Sequence, residues 1–410
     1  MTWRIYQENF FAICWFFVNV VYYINIMDFV PFKVDDIIFN LLRYLFIIGR
    51  KAVKYSAIIV FSFIVCFSGC ESEKMHEFSS GTSLEGTATP QVDARSRNIA
   101  VYNDIIAKYI RNQNLPDLES IEPWQNVYGP GLKLTTAHYE IFATLMDRFI
   151  LSRIPAFIES AYRVYSSQVP QITGTSSKLT IYLFADRTQW EHFTWSFAGD
   201  QAQIFYKIKA GAYYHNGACI AYDIGAERTL SALGHEGWHQ FSSRYFKYRL
   251  PSWLDEGVAM LFETYSYKDG TIVFEPANNT YRLDGLKKTL ASGKMIPLKE
   301  LTAINPGQVL ASDQADAVSA FYSQSYALVR FLRESDNGSR REIYNQLLAD
   351  GFLGKWPLDD VSKEIAIDRN LPRTILWNNI VGTQLFLQYM HEDFDQVEQE
   401  YLEFCVKITR

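Results

Sequence analysis

The chain has 410 residues, a formal net charge of −6 and 48% hydrophobic residues, which is enough apolar material for one or two globular domains with a full core. Its 39 Lys and Arg are outnumbered by 45 Asp and Glu and form no basic block. This charge balance excludes a protein that holds nucleic acid by a basic surface. The five cysteines are too few and too scattered for a disulfide framework.

Residues 53–69 have the features of a signal peptide. They carry Lys54 near their start, continue with an uncharged apolar stretch over 57–67 and end in Ser68-Gly69, directly before Cys70. A basic start, a short apolar core and small residues before a cysteine are typical of lipoprotein signal peptides, which are cleaved ahead of the cysteine. We therefore predict that a lipidated Cys70 anchors the protein to the membrane, on the extracytoplasmic side of the cell envelope.

Two interpretations of residues 1–52 stay open. A signal peptide starts a protein, so translation from Val53 would make residues 1–52 an extension that is absent from the protein. Alternatively, the apolar and aromatic stretch over 10–26 is an N-terminal hydrophobic segment that anchors the chain in the membrane. Residues 70–96 are rich in Ser, Thr, Gly and Glu, and they predict a flexible tether before a folded domain over 97–410.

The first part of the folded domain alternates between helical and strand patterns. Helices are predicted over 98–112 and 136–168, and a strand over 179–184. Residues 204–224 are predicted to be strands as well, joined by a hairpin turn at Asn216-Gly217, which is a sequence that favours such turns.

A helix predicted over 226–245 carries the sequence His235-Glu236-Gly237-Trp238-His239. Positions i and i+4 lie on one face of a helix, so the two imidazoles can converge on one metal ion. Glu236 is one step round from that face and can reach a water on the metal. The alternative is a core helix with two satisfied histidines, but buried polar groups without a metal need other partners.

A second helix is predicted to begin at Pro251, and a carboxylate on it completes the set of ligands. We prefer Glu256 as the third ligand, because its longer side chain spans the gap between two helices more easily; Asp255 is the alternative. Gly257 and Ala259 are small, and we expect them to let this helix approach the first one closely. Two histidines and one carboxylate leave a fourth position open, as hydrolytic zinc sites do.

Together the two helices resemble the signature of the gluzincins, the thermolysin- and aminopeptidase-like metalloproteases, and most closely the bacterial peptidase MA-like families. The motifs that carry the resemblance are His235-Glu236-x-x-His239 and Trp253-Leu254-x-Glu256-Gly257-x-Ala259. The resemblance is specific over about residues 205–335. It implies that His235, His239 and Glu256 bind Zn²⁺ and that Glu236 is the general base, activating zinc-bound water to hydrolyse a peptide or protein substrate.

The resemblance has three further implications. Residues 218–223 occupy the place of the edge strand that pairs with the substrate backbone. We expect His215, directly before Asn216-Gly217, to be a turn residue rather than a fourth ligand. Relatives carry an acidic residue four positions after the glutamate ligand to orient a zinc-bound histidine, whereas this chain has Met260 there. Tyr322, one turn before Tyr326, is the candidate for steadying the oxyanion.

Beyond the motifs the sequence is predicted to be mostly helical. The predicted helices cover 280–292, 315–335, 340–350 and 372–408. The fold class expected is therefore α+β: a gluzincin-type metalloprotease domain with a small mixed sheet and a metal-binding helix, followed from about residue 280 by a mostly helical C-terminal part. The alternative function is an inactive binding or scaffold lipoprotein that keeps this fold, and the intact Glu236 argues against it.

Overall fold

A computed structural model describes residues 94–170, 172, 177–208, 211–268, 271–307, 315–390 and 394–410. Residues 1–93, with the predicted signal peptide, Cys70 and nearly all of the predicted tether, lie outside these ranges. No helix within the described ranges is long and apolar enough to cross a membrane. The described part is α+β and contains one large mixed sheet, so the predicted broad class is confirmed.

The main sheet has six strands in the order β1-β2-β3-β4-β6-β5. They are β1 Ser120–Pro123, β2 Leu132–Thr135, β3 Tyr139–Ala143, β4 Leu179–Phe184, β5 Ala212–His215 and β6 Ala218–Tyr222. β3, β4 and β6 run parallel, while β1, β2 and β5 each pair antiparallel with a neighbour. A separate hairpin is formed by β7 Tyr265–Lys268 and β8 Thr271–Phe274.

The hairpin turn between β5 and β6 is confirmed. Asn216 and Gly217 both have positive φ, at 45° and 83°, as the tight two-residue turn of a hairpin requires. β6 is buried along its whole length, because β4 and β5 flank it on both sides. The edge strand on this side of the sheet is therefore β5, and β1 forms the opposite edge.

The longer helices are α1 Ala94–Arg111, α2 Arg148–Ser167, α3 Arg187–Ala198, α4 Ala226–Tyr245, α5 Ser252–Ala259, α6 Thr280–Ala291, α7 Ala315–Glu334, α8 Arg341–Leu353, α9 Asp360–Ile367, α10 Gln384–Met390 and α11 Phe394–Ile408. The predicted helix over 226–245 is confirmed as α4, and it packs against α2 and against β5 and β6. The Gln240 side chain fixes α4 to the sheet, since its Nε2 donates at 2.8 Å to the carbonyls of Thr180 and Gly217.

Three predicted elements are wrong in part. Residues 139–143 are a strand rather than the start of a helix, because alternate residues there are buried in the sheet; α2 begins only after Asp147, which caps it by accepting from Ile150 N at 2.9 Å. Residues 205–208 are not a strand. Phe205 is the last residue of a single-turn helix, Ala202–Phe205. Arg187 donates to the carbonyls of Tyr206 and Ile208, which follow that helix.

The predicted C-terminal helix over 372–408 is interrupted. It consists of the single turn Ile375–Asn378, a π-helical turn at Asn379–Thr383, α10 and α11. The π-helical turn lies where the chain presses closely on its neighbours: a Cβ at Gly382 would lie 2.8 Å from the Thr302 carbonyl oxygen. The chain at Gly382 therefore packs too closely on Thr302 and Pro251 to accommodate a side chain.

Candidate metal centre

His235 and His239 on α4 meet Glu256 on α5 at one point. The Nε2 atoms of the two histidines lie 3.3 Å apart, and Glu256 Oε2 lies 3.4 Å from His235 Nε2 and 3.5 Å from His239 Nε2. All three side chains are largely shielded from solvent. Among the described residues these are the ones whose ligand atoms cluster as a metal site requires. The structure thus brings the three predicted ligands together.

The spacing of these three atoms fits a zinc ion. Zinc binds imidazole nitrogen and carboxylate oxygen at about 2.0–2.2 Å with tetrahedral angles, so its ligand atoms stand roughly 3.3–3.5 Å from one another. The triangle of 3.3, 3.4 and 3.5 Å has these dimensions. The donor set also suits zinc, because two imidazoles and one carboxylate are the ligands of many catalytic zinc sites.

Each histidine uses its other ring nitrogen for a second carboxylate. His235 Nδ1 lies 2.9 Å from Glu263 Oε1, and His239 Nδ1 lies 3.3 Å from Asp255 Oδ2. Such contacts fix the orientation of the ring and direct Nε2 at the metal position. Asp255, the alternative third ligand in the sequence, therefore lies behind His239 instead, and Glu263 supplies the acidic partner that Met260 cannot.

Glu263 and Asp255 are themselves anchored by cations from distant parts of the chain. Arg282 on α6 donates to both oxygens of Glu263, at 2.8 and 2.6 Å. Arg373, from the segment before α10, donates to Asp255 Oδ2 at 2.7 Å, and Ser242 Oγ donates to Asp255 Oδ1 at 3.0 Å. These supporting residues had escaped sequence analysis, since no local spacing links Arg282 or Arg373 to the motif.

Burial and charge shift the titration of the whole cluster. Burial by itself favours neutral groups, yet the nearby Glu256 and Glu263 carboxylates raise the pKa of His235 to about 9. Against the same burial, His239 and Arg373 lower the pKa of Asp255 to about 2, and Arg282 lowers the pKa of Glu263 to about 2. The carboxylates are therefore ionised at neutral pH, and a cation bound among them would replace protons that the cluster holds.

Glu236 differs from the other acids of the site. Burial raises the pKa of its carboxyl group, opposed by His235 and His239 and by the backbone N–H of Tyr214 on β5. It lies next to the three ligands but is not one of them. A carboxylate beside a metal, with a pKa moved upward by burial, has the properties of a general base.

The sheet edge beside Glu236 is β5, so the prediction of an edge strand over 218–223 is wrong. In a hairpin with a two-residue turn, His215 and Ala218 form the closing hydrogen-bonded pair, and pairs alternate from there. Tyr214 and Ala212 consequently direct their backbone N–H and C=O away from β6. The contact between Tyr214 N–H and Glu236 agrees with this geometry.

His215 packs near Phe197 and Phe205 and is no part of the metal cluster.

The two tyrosines of α7 have different surroundings. Tyr322 is partly buried; burial and the charges of Glu256, Glu236 and Glu263 raise its pKa well above the ordinary value, so its hydroxyl keeps its proton. Tyr326 is fully buried, and its hydroxyl donates to the Pro276 carbonyl at 2.5 Å. Tyr322 has Glu256 and Glu236 among its charged neighbours, whereas the main charged neighbours of Tyr326 are Arg330 and Glu334.

Gly257 does not serve the contact for which it was predicted. A Cβ at this position would lie 2.5 Å from the Ser325 carbonyl oxygen, so Gly257 allows α5 to approach α7 rather than α4. The close approach of α4 falls at Gly234 instead, where a Cβ would lie 2.5 Å from the carbonyl oxygen of Phe262. Larger residues at either position would displace one of the two helices that carry the ligands.

Comparisons of the chain with protein-family models, with curated proteins and with solved structures gave no match. The interpretation of the site therefore depends on its own geometry and chemistry.

Proposed function

We propose that the protein is a zinc-dependent peptidase of the gluzincin type. His235, His239 and Glu256 would hold the ion, and Glu236 would act as general base and then general acid. The observation that carries the proposal is the triangle of three ligand atoms with the dimensions of a zinc site, with a buried carboxylate that is not a ligand beside it. Zinc in such a site supplies a Lewis acid that polarises a carbonyl and lowers the pKa of water.

The residues around the ion would transfer the proton, stabilise the oxyanion and orient the ligands. Glu236 takes a proton from the attacking water and passes it to the leaving amine. Tyr322 keeps its proton near neutral pH and donates to the oxygen that becomes negative as the carbonyl is attacked. Glu263 and Asp255 hold the two imidazoles in the orientation that the ion needs.

The substrate backbone would bind along β5. Ala212 offers an outward N–H and C=O and Tyr214 an outward C=O, and an extended peptide can add to such an edge as a further strand. The Tyr214 N–H lies beside Glu236, so a peptide on this edge would pass next to the general base. A membrane anchor at Cys70 would place this site in the cell envelope, where its substrates would be envelope or imported polypeptides.

Peptide hydrolysis by the full chain, loaded with zinc, tests this function. Casein and a mixed peptide library are incubated with the wild type and with Glu236→Gln, and new termini are identified by mass spectrometry. We expect cleavage by the wild type and a loss of at least about 100-fold in Glu236→Gln, the scale of general acid–base catalysis, with zinc retained. If zinc-loaded wild type cleaves nothing, the peptidase proposal fails and the protein is a binding or scaffold protein.

A further inference from the structure

Three arginines meet beyond His239, where the segment 366–373 lies along residues 246–250. Arg249 Nη1 donates to the carbonyls of Asp368, at 2.9 Å, and Leu371. Arg369 Nη2 donates to the Phe246 carbonyl at 2.6 Å. Arg373 Nη1 donates to the Leu250 carbonyl at 3.1 Å. These bonds hold Arg249, Arg369 and Arg373 in a group, which we call the arginine cluster.

The arginine cluster carries more positive charge than its neighbours balance. Asp255 and Asp368 are the two carboxylates that act on these three guanidinium groups, and Asp255 already faces His239 and Arg373. Burial, together with repulsion from Arg373 and Arg369, lowers the pKa of Arg249 to about 10. Like charges held together at a free-energy cost form a site for an anion, because an incoming negative charge relieves the repulsion.

The arginine cluster also lies on the path of the proposed substrate. His235, His239 and Ser243 follow one another at intervals of four residues, so they share one face of α4. Ser243 Oγ accepts from the Tyr214 hydroxyl at 2.9 Å, and Tyr214 also lies within electrostatic range of Arg369. Arg369 is exposed. The edge strand and the metal helix therefore lead from the metal to this guanidinium.

We propose that the arginine cluster is a subsite for a carboxylate of the peptide substrate, with Arg369 as the group that contacts it. The inference rests on the proposed peptidase function and specifies the substrate class: peptides with a negative charge a short distance from the scissile bond. One turn of α4 separates His239 from Ser243, about 6 Å along the axis, which equals about two residues of extended peptide. The carboxylate would be the C-terminus or an acidic side chain.

Direct binding tests the subsite without turnover. The full chain with Glu236→Gln, loaded with zinc, is titrated calorimetrically with acetyl-tetraalanine as the free acid and as the amide. A third probe, acetyl-trialanyl-glutamate amide, carries the charge on a side chain only. We expect the free acid to bind about tenfold or more tightly than the amide, as a charge-assisted contact would give. Tight binding of the third probe would assign the subsite to acidic side chains, and weak binding would assign it to the C-terminus.

Arg369→Gln in the same background should remove the preference for the free acid and leave binding of the amide unchanged. Arg163→Gln is the matched control, because Arg163 is an exposed arginine of α2 whose carboxylate partner is Asp117, and it should keep the preference. Equal binding of acid and amide by the parent, or a preference that survives Arg369→Gln, overturns the subsite. If neither peptide binds, the subsite proposal fails, whereas the peptidase proposal fails only if the zinc-loaded wild type cleaves neither casein nor the peptide library, so the two failures are distinguishable.

Discussion

His235 and His138 make the same local contact in different surroundings. Each places Nδ1 against a carboxylate that the fold holds in position, at 2.9 Å from Glu263 and at 2.7 Å from Glu159. Both carboxylates have further donors: Arg282 and Asn279 serve Glu263, while Thr136 serves Glu159. A histidine paired with an anchored carboxylate is thus an ordinary structural element in this protein.

The difference lies on the other side of each ring. The His235 ring meets His239 and Glu256, whose ligand atoms lie 3.3 and 3.4 Å from its Nε2. The His138 ring instead stacks on Tyr162, with centroids 3.8 Å apart, and its side chain is 42% exposed. A carboxylate behind a histidine therefore orients the ring in both places, whereas the proposed zinc site also has a second imidazole and a further carboxylate in front of the ring.

Removal of the His239 imidazole should have the largest effect on zinc binding. His239→Ala deletes one of three proposed ligands, and we expect it to abolish stoichiometric zinc binding, since the remaining pair cannot complete a catalytic set. His138→Ala should retain zinc at the wild-type level. Zinc content per chain is measured by mass spectrometry after dialysis against a weak chelator. Full zinc content in His239→Ala would contradict the ligand assignment.

Neutralising the carboxylate behind each histidine ring should affect zinc binding at His235 and only stability at His138. Glu263→Gln should weaken zinc affinity by about 10–100-fold, the usual effect of losing the partner that orients a ligand. Glu159→Gln should leave zinc affinity unchanged and lower the free energy of unfolding by about 1–3 kcal/mol, because donors to a buried carboxylate lose their charged acceptor. Competition with a fluorescent chelator measures the affinity, and urea denaturation measures the stability. Equal zinc affinity of the two variants would remove the distinction between the sites.

The smallest expected effect is the pH dependence of the Glu159 contribution. Burial opposes ionisation of Glu159, but hydrogen bonds from His138 and Thr136 outweigh it and lower the pKa of its carboxyl group. A lowered folded-state pKa gives stability that is present above the unfolded value of about 4.3 and is lost as pH falls through the folded value. The stability difference between wild type and Glu159→Gln should therefore shrink as the pH falls below about 4. A difference that grows toward low pH would contradict this assignment.

The sequence predicts the elements that hold the ligands, but it does not identify the residues that support them. The i, i+4 spacing on α4 and the turn at Asn216-Gly217 are local signals, and both are confirmed. The edge strand was assigned to 218–223 because that strand comes just before α4 in sequence; in space the hairpin folds β5 onto its outer side. Register and order within a sheet depend on contacts between distant segments, which a local pattern does not contain.

The residues that support the ligands also could not be identified from local sequence patterns. Glu263 takes the role expected at Met260 although it lies three residues further along, because the chain leaves α5 through the 3₁₀ turn Met260–Phe262. Arg282 and Arg373 reach the site from α6 and from beyond α9. Nothing in the spacing of these arginines from the motif marks them, so only the fold could identify them.

Zinc K-edge absorption of the zinc-loaded wild-type chain tests the central claim most directly. The account predicts one zinc per chain with two imidazoles and a carboxylate oxygen among its ligands, at about 2.0–2.2 Å. It also predicts loss of one imidazole from the spectrum in His235→Ala or His239→Ala. A spectrum with sulfur ligands, or two-imidazole coordination that persists in both variants, would contradict the assignment of His235, His239 and Glu256 as the metal site.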